Sequence, residues 1–328
     1  MANLKNTRFE DQGFVQLPKG TTAQRPNSPS AGMIRYNTDT NEIELYNGTA
    51  WINETGGTIT ASSTASIFDD GEYVIHRFTG SGQFTVSSGG IVEYLIVAGG
   101  GAGGQNTQGS FENGGGGGAG GFLEGTTTVN PQQYTITVGS GGTVNPAGGS
   151  TNGQNSSAFG ITAIGGGRGS TRDFGLAGVG GSGGGGCGFA ASQRIGANGT
   201  TGQGNRGGDG RPFSDAAAAG GGGGGAGGRG DDGLTNTYGG WGGEPKASTI
   251  LGTVTYFAAG GGAGGGTGGV GGGRTSGQVK IGGVGGSIDR INATSGVANT
   301  GSGGGGNWST SGLAGQGGSG IVVIRYKK

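Results

Sequence analysis

Glycine enters this chain in bursts. Of 94 glycines, 11 precede residue 99 and 83 lie in residues 99–328, with runs at Gly114–Gly118, Gly183–Gly186, Gly220–Gly225, Gly260–Gly262 and Gly303–Gly306. Glycine gives up more backbone entropy on ordering than any other residue, about 0.5–1 kcal/mol more than alanine in regular structure. Over the whole region the excess is on the order of tens of kcal/mol. Such a segment either stays disordered or packs its backbone so as to offset that loss. Collagen is excluded, because it needs glycine at every third position and abundant proline, and this chain has seven prolines and unbroken glycine runs. Disorder suits the 30% hydrophobic content, but disordered segments are poor in aromatic and β-branched residues. Here VEYLIV (92–97), YTITV (134–138), VTYF (254–257) and IVVIRY (321–326) are strand sequences bounded by turn residues. The residues therefore predict order.

Charge and composition remove several function classes. Nineteen basic residues balance nineteen acidic ones with no basic stripe, so nucleic acid is not an expected partner. One cysteine, Cys187 in GGGGCGF, allows no internal disulfide framework and reads as a buried or idle thiol. No apolar run approaches 18 residues, which argues against membrane insertion. The N-terminal MANLKNTRFEDQGF has no apolar h-region, so synthesis in the cytoplasm without a signal peptide is expected.

The chain divides into three parts. Residues 1–20 are polar, with Phe9, Phe14, Val15 and Leu17 as apolar anchors, and read as an arm that docks on another protein. Residues 21–60 predict a three-stranded meander: MIRYN (33–37), IELY (43–46) and, after the Asn47-Gly48 turn, Ala50–Ile52. About 40 residues with few apolar side chains cannot build an independent core, so this module is expected to trimerise or lean on a neighbour. Residues 61–328 are the glycine-rich domain. Strands at its entry, GEYVIHRF (71–78), GQFTV (82–86) and GIVEYLIV (90–97), and at its exit, GIVVIRY (320–326), predict that its first and last strands share a sheet. The fold class expected is all-β: a small N-terminal hairpin or meander module, then a glycine-rich β-sandwich with ordered glycine-rich loops.

Residues 17–54, LPKGTTAQRPNSPSAGMIRYNTDTNEIELYNGTAWINE, resemble a hairpin module of bacteriophage structural proteins, especially tail fibres of cyanobacterial and related marine phages. The entry and exit strands, with GSGGTVNPAGGSTNGQNSSAFG and YFAAGGGAGGG between them, resemble the glycine-rich domain of phage tail-fibre proteins and distal adhesins. The resemblance implies a homotrimer and a virion location in the tail fibre. It implies an N-terminus attached to other tail or baseplate proteins. It also implies left-handed polyglycine II helices whose connecting loops carry receptor specificity, toward a host surface glycan or outer-membrane protein. The runs here are uneven and broken by Ala, Arg or Asn, a departure from a regular bundle.

Motifs for chemistry are weak. The pairs Asp69-Asp70 and Asp231-Asp232 sit in turn-like sequence, where adjacent carboxylates are usually solvated. His76, the sole histidine, has no Cys/His partner at ligand spacing and reads as a hydrogen-bonded strand residue. No GKS or GKT follows a glycine run, so no P-loop is present. Chance explains both the GxGxxG matches and Arg229-Gly230-Asp231 in so glycine-rich a chain. No catalysis, cofactor or metal is expected. Candidate receptor contacts are the residues that interrupt glycine: Arg168, Arg172 and Phe174; Arg194, Arg206, Arg211 and Phe213; Tyr238 and Trp241; Asn307 and Trp308. Aromatics give rigid contact area, and Arg and Asn give hydrogen bonds. The plainer alternative is that Trp241 and Trp308 cap a small core. The expected function is a non-catalytic phage tail fibre or distal adhesin that binds the host surface, the alternative being a capsid decoration or other structural virion subunit.

Overall fold

The computed structural model describes residues 16–53, 59–105, 113–145, 149–172, 175–188, 194–212, 218–234, 238–266, 280–287, 292–308 and 312–328. The chain is all-β, with several antiparallel sheets.

The N-terminal sheet contains β1 (Lys19–Gly20), β2 (Ile34–Asn37), β3 (Glu42–Tyr46) and β4 (Trp51–Asn53) in that order. The three expected strands are β2, β3 and β4; β1 adds a parallel edge to β2. The β3–β4 turn forms because Asn47 Oδ1 accepts from the amides of Thr49 and Ala50 (2.9 and 2.8 Å) and Gly48 takes φ +101°. One face of this sheet is polar. Glu44 is fully buried there, ion-paired with Arg25 (2.7 Å) and Arg35 (3.3 Å) and hydrogen-bonded by Asn37 (3.1 Å). Burial pushes the Glu44 carboxyl up, but the hydrogen bonds from Arg25 and Asn37 and the two guanidinium charges outweigh it and hold the group below its usual range. Register places Ile34, Leu45 and Ile52 in one row across the opposite face, beside Tyr36 and Ile43. Ile34 and Ile43 are exposed.

The remaining strands are β5 (Thr60–Ser63), β6 (Ser66–Asp69), β7 (Tyr73–Phe78), β8 (Gly82–Ser88), β9 (Gly90–Val97), β10 (Phe122–Val129), β11 (Gln132–Ile136), β12 (Ser156–Ala158), β13 (Ile161–Ala163), β14 (Lys246–Ser248), β15 (Thr255–Phe257) and β16 (Ile321–Lys327). The large sheet runs β10-β9-β16-β7-β6, and a three-stranded sheet runs β11-β8-β5. The C-terminal β16 lies antiparallel between β9 and β7, so entry and exit strands do share a sheet. Period-two alternation sorts the apolar side chains of β16 onto two faces. Val322, Ile324 and Tyr326 join Phe78, Val92 and Ile96 in a core shared with Phe84, Val86 and Ile136 of the smaller sheet. Ile321 and Val323 join Ile75, Leu95, Val97 and Phe122 in a second core, covered by Ile250 and Phe257 from the β14–β15 hairpin.

The glycine runs fill the connections between β9 and β16, and their hydrogen bonds repeat every three residues. Along 114–121, the amides of Gly114, Gly117 and Gly120 donate to the carbonyls of Asn307, Gly304 and Gly301. Those of Gly115, Gly118 and Gly121 donate to Ser170, Gly167 and Ile164, and those of Gly116 and Ala119 to Gly221 and Gly224. The carbonyls do the same toward three other segments. Gly114 and Gly117 accept from Gly264 and Gly261; Gly115, Gly118 and Gly121 from Gly104, Gly101 and Ala98; Gly116 and Ala119 from Gly185 and Ser182. One stretch of backbone is thus bonded to six neighbours. A β-strand points successive amides in two directions; three directions require three residues per turn. Spacing this close excludes side chains, since a Cβ on Gly116 would overlap the carbonyl of Gly261 and one on Gly117 that of Gly101. Ala119 does not break the pattern because its methyl joins the second apolar core.

Candidate functional site

Two of the sequence-derived clusters meet at one edge of the glycine region. Arg194 Nη2 donates to the carbonyl of Arg172 at 3.4 Å, which joins the segment after β13 to the one that follows the 183–186 run. The same two segments are tied through Gly184, whose amide donates to Gly178 and whose carbonyl accepts from Ala197, and by a bridge between Gly180 and Gly199. Arg168 is anchored by its backbone, its amide donating to Asn152 Oδ1 at 2.9 Å and its carbonyl accepting from Gly178. Arg168, Arg172 and Arg194 are each half-buried. Their edge also presents three aliphatics that the sequence reading passed over: Leu176 (59% exposed), Val179 (68%) and Ile195 (63%). A lone aliphatic between glycines carries no periodicity to mark its direction. Large apolar side chains this open, on the same segments as three arginines, have the makeup of a contact surface.

The other candidates scatter. Arg206 is ion-paired with Asp209, whose amide donates to Asp232 Oδ1 at 2.8 Å, and Asp232 in turn pairs with Arg229. Arg206 and the arginine of the Arg-Gly-Asp triplet are therefore matched by carboxylates in a surface network, where each pair contributes little stability. Arg211 is exposed, and its amide donates to the carbonyl of Ala219 at 2.8 Å. Tyr238 is exposed; Trp241 and Trp308 are half-buried.

Asn307 is a correction. It has no exposed surface; its side-chain amide donates to Gly312 at 3.3 Å, and its backbone bonds Gly104 and Gly114. It closes the end of a glycine run instead of facing a receptor. Buried Gln105 does similar work, donating to Gly312 (3.1 Å) and accepting from the amide of Ala314 (2.6 Å). Phe174 and Phe213 lie outside the described residues, as do Phe9, Phe14 and Val15 of the expected attachment arm; Leu17 is half-buried.

His76 is fully buried in the main core. Its Nδ1 shares a hydrogen bond with Ser63 Oγ (2.7 Å) and its Nε2 one with Tyr326 OH (3.2 Å), so it ties β5, β7 and β16 together. Burial lowers its pKa to about 4, so the ring is neutral at pH 7. Asp69 is ion-paired with Lys328 and accepts from the amide of Gly71, and Asp70 Oδ1 accepts from the amides of Glu72 and Tyr73. Cys187 is buried. Among the described residues, no group of three His, Cys, Asp or Glu side chains is placed to hold a metal, and no helix is long and apolar enough to cross a membrane.

No match to the chain was found among curated proteins. A family model described as a glycine-rich domain matches residues 78–327, from the end of β7 through β16, and so takes in β8 to β16 and every glycine run. The chain belongs to this glycine-rich domain family.

Proposed function

We propose that this protein is a non-catalytic structural component of a bacteriophage particle, a tail fibre or distal adhesin that binds the host cell surface. The observation that carries the reading is the edge where Arg168, Arg172 and Arg194 gather beside exposed Leu176, Val179 and Ile195 on a backbone-bonded glycine scaffold. The three-residue repeat and the six neighbours of 114–121 support reading the runs as packed polyglycine II helices, a rigid platform for short loops. Cationic and aliphatic groups side by side suit a bacterial surface that is anionic and amphiphilic, such as glycan with its lipid or an outer-membrane protein. The apolar face of the N-terminal sheet, where Ile34 and Ile43 are exposed beside half-buried Leu45 and Ile52, supports assembly as a homotrimer, with residues 1–20 as the link to other tail or baseplate proteins.

The test is cell binding by the fluorescently labelled full chain against a panel of bacterial hosts and glycan-stripped variants of each. Selective binding, lost on joint replacement of Arg168, Arg172 and Arg194 by glutamine, supports the adhesin. Absence of binding by folded protein to every strain rejects it in favour of a capsid-decorating or other structural virion subunit.

A further inference from the structure

The β14–β15 hairpin does not cover the whole face of the large sheet. Ile250 and Phe257 pack against the centre of that face, and where the connecting loop passes the outer strands β6 and β7 it leaves a cleft. One cavity, of about 300 Å³, is bounded by Phe68, Asp70, Arg77 and Thr253. It shares Asp70, Leu251 and Thr253 with a second, of about 580 Å³, beside Tyr73 and Arg325. Together they have the volume of a small-ligand site.

The charged groups of the cleft are of two kinds. Arg325 is engaged: Nη1 donates to the carbonyl of Thr249 (2.9 Å), Nη2 pairs with Glu93 (2.7 Å), and the guanidinium lies 4.6 Å from the centre of the Tyr73 ring. Asp69 is engaged by Lys328. Arg77 is open. Its guanidinium stacks 4.9 Å from the centre of the Phe68 ring and forms no ion pair among the described residues; its Nε, like that of Arg325, is buried without a hydrogen-bond partner. Asp70 is half open: Oδ1 holds the β6–β7 turn, while Oδ2 faces the hairpin loop at Gly252 and has no partner among the described residues. A buried guanidinium N–H without an acceptor, as at Arg77 Nε, is unfavourable unless something completes it.

We propose that this cleft binds an acidic saccharide of the hexuronate class. The sugar carboxylate accepts from the fork of Arg77, a sugar hydroxyl donates to Asp70 Oδ2, and the apolar edge of the ring lies against Phe68, which is 44% exposed, and Tyr73. A neutral saccharide leaves Arg77 uncompensated. A phosphorylated sugar brings a dianion against Asp69 and Asp70. A uronate, with one negative charge and several hydroxyl donors, satisfies both open groups. The site shares no residue with the arginine edge and does not depend on the adhesin reading.

The test is titration of the full chain with trigalacturonate, with maltotriose and glucose 6-phosphate as comparisons, followed by amide chemical shifts or calorimetry. Trigalacturonate is expected to bind in about the millimolar range or tighter, at least about tenfold more tightly than either comparison. Arg77→Gln is expected to weaken it by about tenfold or more. Thr253→Trp, at an exposed rim position, is expected to block it, with thermal unfolding showing that each variant remains folded. No binding of trigalacturonate, equal or tighter binding of either comparison, or unchanged affinity in both folded variants would overturn the proposal.

Discussion

The sheets and the glycine region of this protein solve the same problem with opposite means. In the sheets, side chains fill the interior: Val322 and Ile324 on one face of β16 and Ile321 and Val323 on the other bury apolar surface, and backbone bonding runs sideways in two directions. In the glycine region the backbone itself is the interior. Segment 114–121 bonds six neighbours, and the side chains have been removed so that the neighbours can approach. The first design tolerates loss of a methyl group as a cavity. The second leaves no room for a Cβ at glycines such as Gly116 and Gly117. Where the two meet, Ala119 serves both, its backbone in the three-residue pattern and its methyl in the second core.

The largest expected effect breaks the glycine side of the comparison. Gly116→Val forces a branched side chain into the carbonyl of Gly261, and no neighbour is a flexible side chain that can move aside. The destabilisation should exceed the roughly 1–3 kcal/mol of ordinary overpacking, and recovery of soluble, cooperatively unfolding protein is expected to fail. Ile324→Ala in the main core is expected to cost about 2–5 kcal/mol by urea unfolding, with the fold retained. A variant order with Ile324→Ala the more damaging would reverse the account.

The pH response separates the regions further, because 114–121 carries no titratable side chain whereas the main core carries His76. The folded His76 pKa of about 4 lies below the ordinary 6.5, so the unfolded chain takes up the proton first. Its contribution to stability is complete above about pH 6.5, falls between about 6.5 and 4, and is constant below. The full loss is on the order of 3 kcal/mol. Urea unfolding at pH 7 and pH 4.5 should show a steeper loss for the parent chain than for His76→Gln; equal slopes would mean that the ring is not buried neutral. The smallest effect is the control. Gly80, in the turn before β8, has open space where a Cβ would stand, and Gly80→Ala should change stability by less than about 0.5 kcal/mol.

Legibility from sequence follows the same division. Strands β2, β3, β4, β7, β8, β9 and β16 were readable because alternation of apolar residues records which face each side chain takes, and Asn47-Gly48 marked its turn; β5 (TASS), β6 (SIFD) and β10 (FLEGTTTV) carry too few alternating apolar residues and were missed. The three-directional bonding was not readable from the residues, because a glycine amide looks the same in sequence whichever neighbour it bonds. Asn307 was misplaced for that reason: between glycines, an asparagine that closes a run reads like one that faces solvent. The arginines at 168, 172 and 194 were marked by their rarity, but their meeting, and the aliphatics beside them, depended on contacts between runs. The Arg77 cleft was invisible because Phe68 and Arg77 come from neighbouring strands while Thr253 comes from a hairpin far along the chain.

Native-state amide hydrogen exchange of Gly114–Gly121, residue by residue, distinguishes a bonded glycine backbone from a loose one. All eight amides point at carbonyls of other segments, so the account predicts that all eight are protected to the level of the β9 and β16 amides. Exchange of these glycines near the rate of an unstructured chain, while β9 and β16 stay protected, would contradict it.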